Sequence, residues 1–229
     1  MTKQEVRHQI TQVGIVPVVR AASAKQAMMA IEAVCLGGIP VAEITMTVPG
    51  AVDLIREVAR SMGSEVLVGA GTVLDAATAR QCADAGAQFL VSPGLDYETV
   101  DFAKSRDIVM MAGALTPTEV MNAWKAGADF VKIFPCGELG GASYIKALRG
   151  PLPQVPMVPT GGVNLETAAD FILAGAVALG VGGELVSSAA LNAGNNHVIC
   201  QAARRFIEVV QNARMLLDQR KDEASVARR

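Results

Sequence analysis

Eight short apolar runs recur along the 229-residue chain with helical patterns between them, and this alternation restricts the fold more than any other feature. The runs fall at residues 14–20, 41–46, 66–73, 88–93, 108–113, 130–135, 157–162 and 178–183. Most are near-continuous in Val, Ile, Leu, Phe and Met, as expected of parallel strands buried on both faces. Segments such as 23–36, 50–62, 75–85, 118–126 and 164–174 carry apolar residues at three- and four-residue spacing. Gly37-Gly38, Ala85-Gly86, Ala126-Gly127 and Ala174-Gly175 place a glycine cap just ahead of a run, while Asp75, Thr116-Pro117 and Asn164 supply helix starts. With no linker or low-complexity break, the pattern predicts one domain over residues 1–229, an α/β protein of the (β/α)8 TIM-barrel type. An open doubly wound sheet is the alternative, and even spacing favours closure. Residues 2–13 read as a helix over the barrel's bottom, 196–219 as an amphipathic helix, and 220–229 as a disordered charged tail.

Half the residues are hydrophobic and the net charge is −2, so a large core is available and some apolar surface is left for subunit contacts. With no basic block beyond the mixed tail and only 4% aromatic residues, neither phosphate-backbone attraction nor base stacking has a platform. Cys35, Cys82, Cys136 and Cys200 lie far apart, which favours reduced thiols in a cytosol. His8 and His197 stand alone, so a histidine-held metal is not expected. The first residues lack the apolar core of a signal peptide, and the uncharged stretch 171–183 is too short to span a membrane. A cytoplasmic protein without nucleic-acid or membrane partners is the expectation.

Lys132 is the one charge inside the run Phe130-Val131-Lys132-Ile133-Phe134-Pro135. Strand alternation puts Phe130, Lys132 and Phe134 on one face. A lysine so placed either pairs for structure or, desolvated, loses its proton and attacks carbonyls. The strand alone leaves both open. In a TIM barrel, chemistry gathers at the C-terminal strand ends. There the first run ends in Arg20, the second carries Glu43, Thr45 and Thr47 on one face, and the third ends Gly69-Ala70-Gly71-Thr72. The fourth ends Ser92-Pro93-Gly94, the seventh Pro159-Thr160-Gly161-Gly162 and the eighth Gly180-Val181-Gly182-Gly183. A carboxylate and a lysine projecting into one barrel from different strands favour chemistry, since imine formation needs a nearby acid/base. Glycine turns after the seventh and eighth strands let backbone N–H groups approach an anion.

Glu43-Ile44-Thr45, Val68-Gly69-Ala70-Gly71-Thr72-Val73-Leu74, Val91-Ser92-Pro93-Gly94-Leu95, Lys132-Ile133-Phe134-Pro135 and Pro159-Thr160-Gly161-Gly162-Val163 follow in this order. This set resembles the 2-keto-3-deoxy-6-phosphogluconate aldolase family, which includes 4-hydroxy-2-oxoglutarate and 2-keto-3-deoxy-6-phosphogalactonate aldolases. The resemblance implies a homotrimeric class I aldolase with no metal or other cofactor. Lys132 would form a Schiff base with pyruvate and Glu43 would be the general acid/base. Thr72 and Thr160 would line the pyruvyl end, Phe134 would pack beside the lysine, and Gly161 and Gly162 would bind phosphate. Pro93, Arg20, Thr47 and Gly183 complete the substrate-binding set. Three positions depart from the phosphogluconate pattern: Thr47 stands where many members have an arginine, Gly183 where many have a serine, and Ala112 where many have a proline. Arg20 would supply the charge missing at Thr47.

The reading is a lyase that splits 2-keto-3-deoxy-6-phosphogluconate into pyruvate and glyceraldehyde 3-phosphate. Its rivals are the other two aldolase activities, a sugar-phosphate isomerase or epimerase in which Lys132 is only a charge, and a non-catalytic paralogue.

Overall fold

The computed structural model describes residues 1–63 and 65–226. In chain order the first half runs α1 (Lys3–Val13), β1 (Ile15–Val19), α2 (Ala24–Leu36), β2 (Val41–Thr45), α3 (Ala51–Ser61), β3 (Leu67–Gly71), α4 (Ala76–Asp84) and β4 (Phe89–Val91). Then follow α5 (Tyr97–Ser105), β5 (Val109–Ala114), α6 (Pro117–Ala126), β6 (Phe130–Ile133), a 3-10 turn (Gly137–Leu139) and α7 (Ala142–Arg149). The last elements are β7 (Met157–Pro159), α8 (Ala168–Leu173), β8 (Leu179–Val181), α9 (Ser188–Asn192) and α10 (Asn196–Val226). Every strand pairing is parallel, in the order β7-β6-β5-β4-β3-β2-β1-β8. This is the (β/α)8 barrel that the alternating runs predict.

The ring closes most weakly between β7 and β8. Thr160 N–H donates to Ile133 of β6 at 2.9 Å, so the backbone of position 159 faces β8, and Pro159 has no N–H to give there. Closure therefore rests on Val177 N–H donating to Met157 at 3.1 Å and on a parallel bridge between Thr160 and Gly180. Arg214 of α10 fastens the same region from below. Its guanidinium donates to Thr11 and Gln12 at 2.6 Å and to Val177 at 3.2 Å, and burial lowers its pKa from the usual guanidinium value.

The bottom is covered by α1, as expected. Its capping box pairs Thr2 with Glu5. Lys3 and Arg7 reach Asp129, just before β6, at 2.9 and 3.7 Å, and Asp129 also accepts from Met110 N–H at 2.9 Å. Thr116 and Glu119 form a second capping box at α6, with Pro117 at its first position. Two readings shift. Asn164 caps a turn, accepting from Glu166 and Thr167, and α8 begins only at Ala168. The amphipathic helix read to residue 219 continues as α10 to Val226, through Gln219, Arg220, Lys221, Glu223 and Ala224, all good helix formers. The remainder of the expected tail, 227–229, lies outside the described residues. No helix among the described residues is long and apolar enough to cross a membrane.

Candidate active site

Lys132 and Glu43 meet inside the barrel. They are 4% and 1% exposed, and Lys132 Nζ lies 3.8 Å from Glu43 Oε1. That separation is an ion pair beyond hydrogen-bond reach, and Oε1 has no hydrogen-bond partner among the described residues. A buried charge pair held this loosely is poor at stabilising a fold, because desolvation of both ions is offset by attraction alone. It leaves both groups able to bond a third partner. The Phe134 ring lies 5.4 Å from Nζ, on the side the strand alternation assigns it.

Two glycines make room for these side chains. A Cβ on Gly71, opposite Thr45 in the β2–β3 register, would overlap the Glu43 carboxylate. A Cβ on Gly180 would overlap Thr160 Oγ1. Both were legible only as small residues near strand ends; their use as space for a neighbour's functional group is a tertiary fact. Thr72, directly after β3, has φ +57°, a left-handed conformation that a β-branched residue adopts at a cost of roughly 1–3 kcal/mol. Pro93 follows β4, its backbone against Gly113. Cys136 lies behind the site. Its buried thiol sits 3.6 Å from the Gly141 carbonyl, with its pKa pushed up to about 11 by desolvation, so it is a packing group at neutral pH.

The mouth contains two adjoining cavities with Arg20 on the wall of each. The first, of about 210 Å³, brings Phe134, Thr160, Gly161, Gly162, Gly182, Gly183 and Arg20 together. Gly161 and Gly162 have φ +88° and +75°, a left-handed backbone that glycine adopts without a steric cost. The second, of about 290 Å³, is lined by Arg20, Thr47, Gln26, Ser188 and Asn192 among others. Thr47 therefore borders the same space as Arg20, as the sequence suggested, and Arg20 is exposed and makes no salt bridge among the described residues.

In the sequence Thr45 was read only as sharing a face with Glu43 and Thr47, and Glu184 was not singled out. Thr45 donates to the Val19 carbonyl at 3.1 Å, so the 2.7 Å contact with Thr47 uses the Thr47 proton. Thr47 then offers lone pairs rather than a donor to its cavity. Glu184, next to Gly183, lines the smaller cavity. Its only sequence signal is adjacency to the glycine turn.

With this geometry in view, the family model for KDPG and KHG aldolases matches residues 6–202. The chain belongs to that aldolase family. It is 34% identical over 194 residues to the KHG/KDPG aldolase of Escherichia coli (strain K12), covering 85% of this chain and 91% of the relative. It is 31% identical over 201 residues to the 2-dehydro-3-deoxy-phosphogluconate aldolase of Treponema pallidum (strain Nichols), covering 88% and 95%. Among solved structures, KDPG aldolase from Legionella pneumophila with pyruvate captured as a covalent carbinolamine superposes with a TM-score of 0.80 at 28% identity, covering 89% of this chain and 97% of the other. Members of this aldolase family are lyases, and this chain is one.

Proposed function

We propose that this aldolase works through a Schiff base and reversibly cleaves 2-keto-3-deoxy-6-phosphogluconate to pyruvate and glyceraldehyde 3-phosphate. The observation that carries the reading is the buried Lys132–Glu43 pair, 3.8 Å apart. The Lys132 amine adds to the C2 carbonyl, and the carbinolamine loses water to give an iminium. Glu43 takes the proton of the C4 hydroxyl as the C3–C4 bond breaks. C4 leaves as the aldehyde, and the electron pair moves through C3 into the iminium to form an enamine. Protonation at C3 and hydrolysis release pyruvate and restore the amine. Thr72 and Thr160 line the pyruvyl end, with Pro93 and Phe134 as its apolar walls. Gly161, Gly162 and Gly183 face the phosphate.

The Escherichia coli relative's double name supports a second reading, cleavage of 4-hydroxy-2-oxoglutarate to pyruvate and glyoxylate. Pyruvate release from that acid, from 2-keto-3-deoxy-6-phosphogluconate and from its galactonate epimer ranks the three. Highest kcat/KM on the phosphogluconate compound is expected; no release from any of the three overturns the proposal. We place the enzyme in the cytoplasm as a homotrimer. The exposed apolar side chains of Leu74 and Tyr97, after β3 and at the start of α5, support subunit contact on that side.

Arg20 is the proposed carboxylate partner. Thr47, with its proton given to Thr45, is a poor donor to an anion. The guanidinium across the same cavity has five donors and no fixed partner among the described residues. Arg20→Ala is expected to lower kcat/KM by on the order of 10–100-fold, mainly through KM, because an exposed cation is discounted for screening. Thr47→Arg in that background should recover part of the loss. Unchanged kinetics with only a lower Tm would assign Arg20 a structural role instead.

A further inference from the structure

We infer that Glu184 sets the balance between phosphorylated and unphosphorylated substrates, and holds it low enough for the unphosphorylated 2-keto-3-deoxy sugar acid to be cleaved at comparable efficiency. The inference rests on the proposed aldolase reaction and concerns the end of the substrate remote from Lys132.

The cavity that would hold that end has an unusual balance of charge for a phosphate site. Among its lining residues Arg20 is the one cation and Glu184 the one anion. The two form no ion pair among the described residues, so the carboxylate is not neutralised by contact. A phosphate monoester brings a charge of about −1.5 to −2 at neutral pH. It would meet a wall whose formal charges cancel, with Arg20 also bordering the neighbouring cavity beside Thr47. Beyond the Thr160 hydroxyl, assigned above to the pyruvyl end, the remaining donors are backbone N–H groups, since Gly183 carries no hydroxyl. Nothing lies within 4 Å of the point a Cβ would occupy at Gly183, so no side chain from elsewhere in the barrel fills that place.

A terminal hydroxymethyl group fits the same wall differently. It is neutral, suffers no repulsion from Glu184, and can donate its proton to the carboxylate while accepting from the glycine turns. The carboxylate thus penalises the phosphorylated acid without penalising the unphosphorylated one. Glu184 is exposed, so the repulsion is partly solvated, worth about a factor of five to ten, and sensitive to ionic strength. An exposed glutamate on a loop is ordinarily a solvated surface charge. Its position on the cavity wall, directly after Gly182-Gly183, separates it from that ordinary case.

The test compares kcat/KM for 2-keto-3-deoxy-6-phosphogluconate and 2-keto-3-deoxygluconate, read as pyruvate release, in the unaltered enzyme and in Glu184→Gln. The amide keeps the side chain's shape and removes its charge. In the unaltered enzyme the phosphorylated acid should be preferred by less than about tenfold. Glu184→Gln should raise that preference about five- to tenfold through a lower KM for the phosphorylated acid alone. The difference between the two proteins should shrink as salt is raised from about 20 to about 500 mM, where the screening length falls below roughly 5 Å. A preference above about a thousandfold in the unaltered enzyme overturns the inference. So does a preference that Glu184→Gln leaves unmoved, while cleavage of the phosphorylated acid keeps the proposed function standing. Pyruvate from neither acid overturns both.

Discussion

Borohydride added with pyruvate should inactivate the protein and leave a reduced pyruvyl group on Lys132, and Lys132→Ala should lower kcat/KM on the order of 10⁵-fold. The size follows from the role. Without the amine there is no iminium, so the electron pair released from the C3–C4 bond has no acceptor, and positioning groups cannot replace a covalent electron sink. The location follows from burial. Lys132 projects from β6 into the barrel at 4% exposure, beside a carboxylate, whereas Lys125 on α6 and Lys146 on α7 are exposed on the outer helices. Mass spectrometry of a digest distinguishes them. An adduct on Lys125 or Lys146 instead removes Lys132 from the imine role, no adduct at all removes the imine mechanism, and both favour the reading in which Lys132 is only a charge. Lys132→Ala also leaves Glu43 buried without its countercharge, so its Tm must be compared before activity is read.

The barrel and its central pair were legible because they rest on local signals. A period-two strand puts Lys132 and Phe134 on one face whatever surrounds them, and Gly38, Gly86, Gly127 and Gly175 mark helix ends through backbone sterics alone. Glu43 was legible because an acidic residue within an apolar strand has few explanations. What escaped depends on contacts between residues distant in sequence. That Gly71 is absent side chain for Glu43, and Gly180 for Thr160, requires strand register across the barrel. The hydroxyl chain from Thr47 through Thr45 to Val19 requires β1 and β2 side by side. Pro159 sits in β7 as a residue without a donor, and only the seam with β8 gives that a consequence. Glu184 is polar, exposed and in a loop, which is what most loop glutamates are; the cavity alone distinguishes it. The amphipathic helix was read to end at residue 219 because the charged run after it carries little apolar periodicity, whereas α10 continues to Val226.

Glu43→Gln is expected to leave the barrel folded and to lower kcat by roughly 10²–10⁴, the range for losing a positioned acid/base. Glutamine has nearly the same shape, so the space made by Gly71 still receives it, and the change falls on proton transfer rather than packing. The position of Glu43 permits one group to serve several steps. Its carboxylate reaches the region of Lys132 Nζ at 3.8 Å, and substrate carbons attached to that nitrogen would lie in the same space. Two measurements separate proton transfer from imine formation. Exchange of the pyruvate methyl protons in D2O, followed by NMR, needs a base at C3 but no aldol cleavage, and Glu43→Gln should slow it about as much as kcat. Borohydride should still trap pyruvate on Lys132 in the same variant, more slowly, because the amine is intact. If methyl exchange and turnover both proceed at the unaltered rate, water carries the protons and Glu43 is only the countercharge of Lys132. If trapping disappears along with turnover, the carboxylate is required to form the imine, and its role at C3 and C4 is not what limits the reaction.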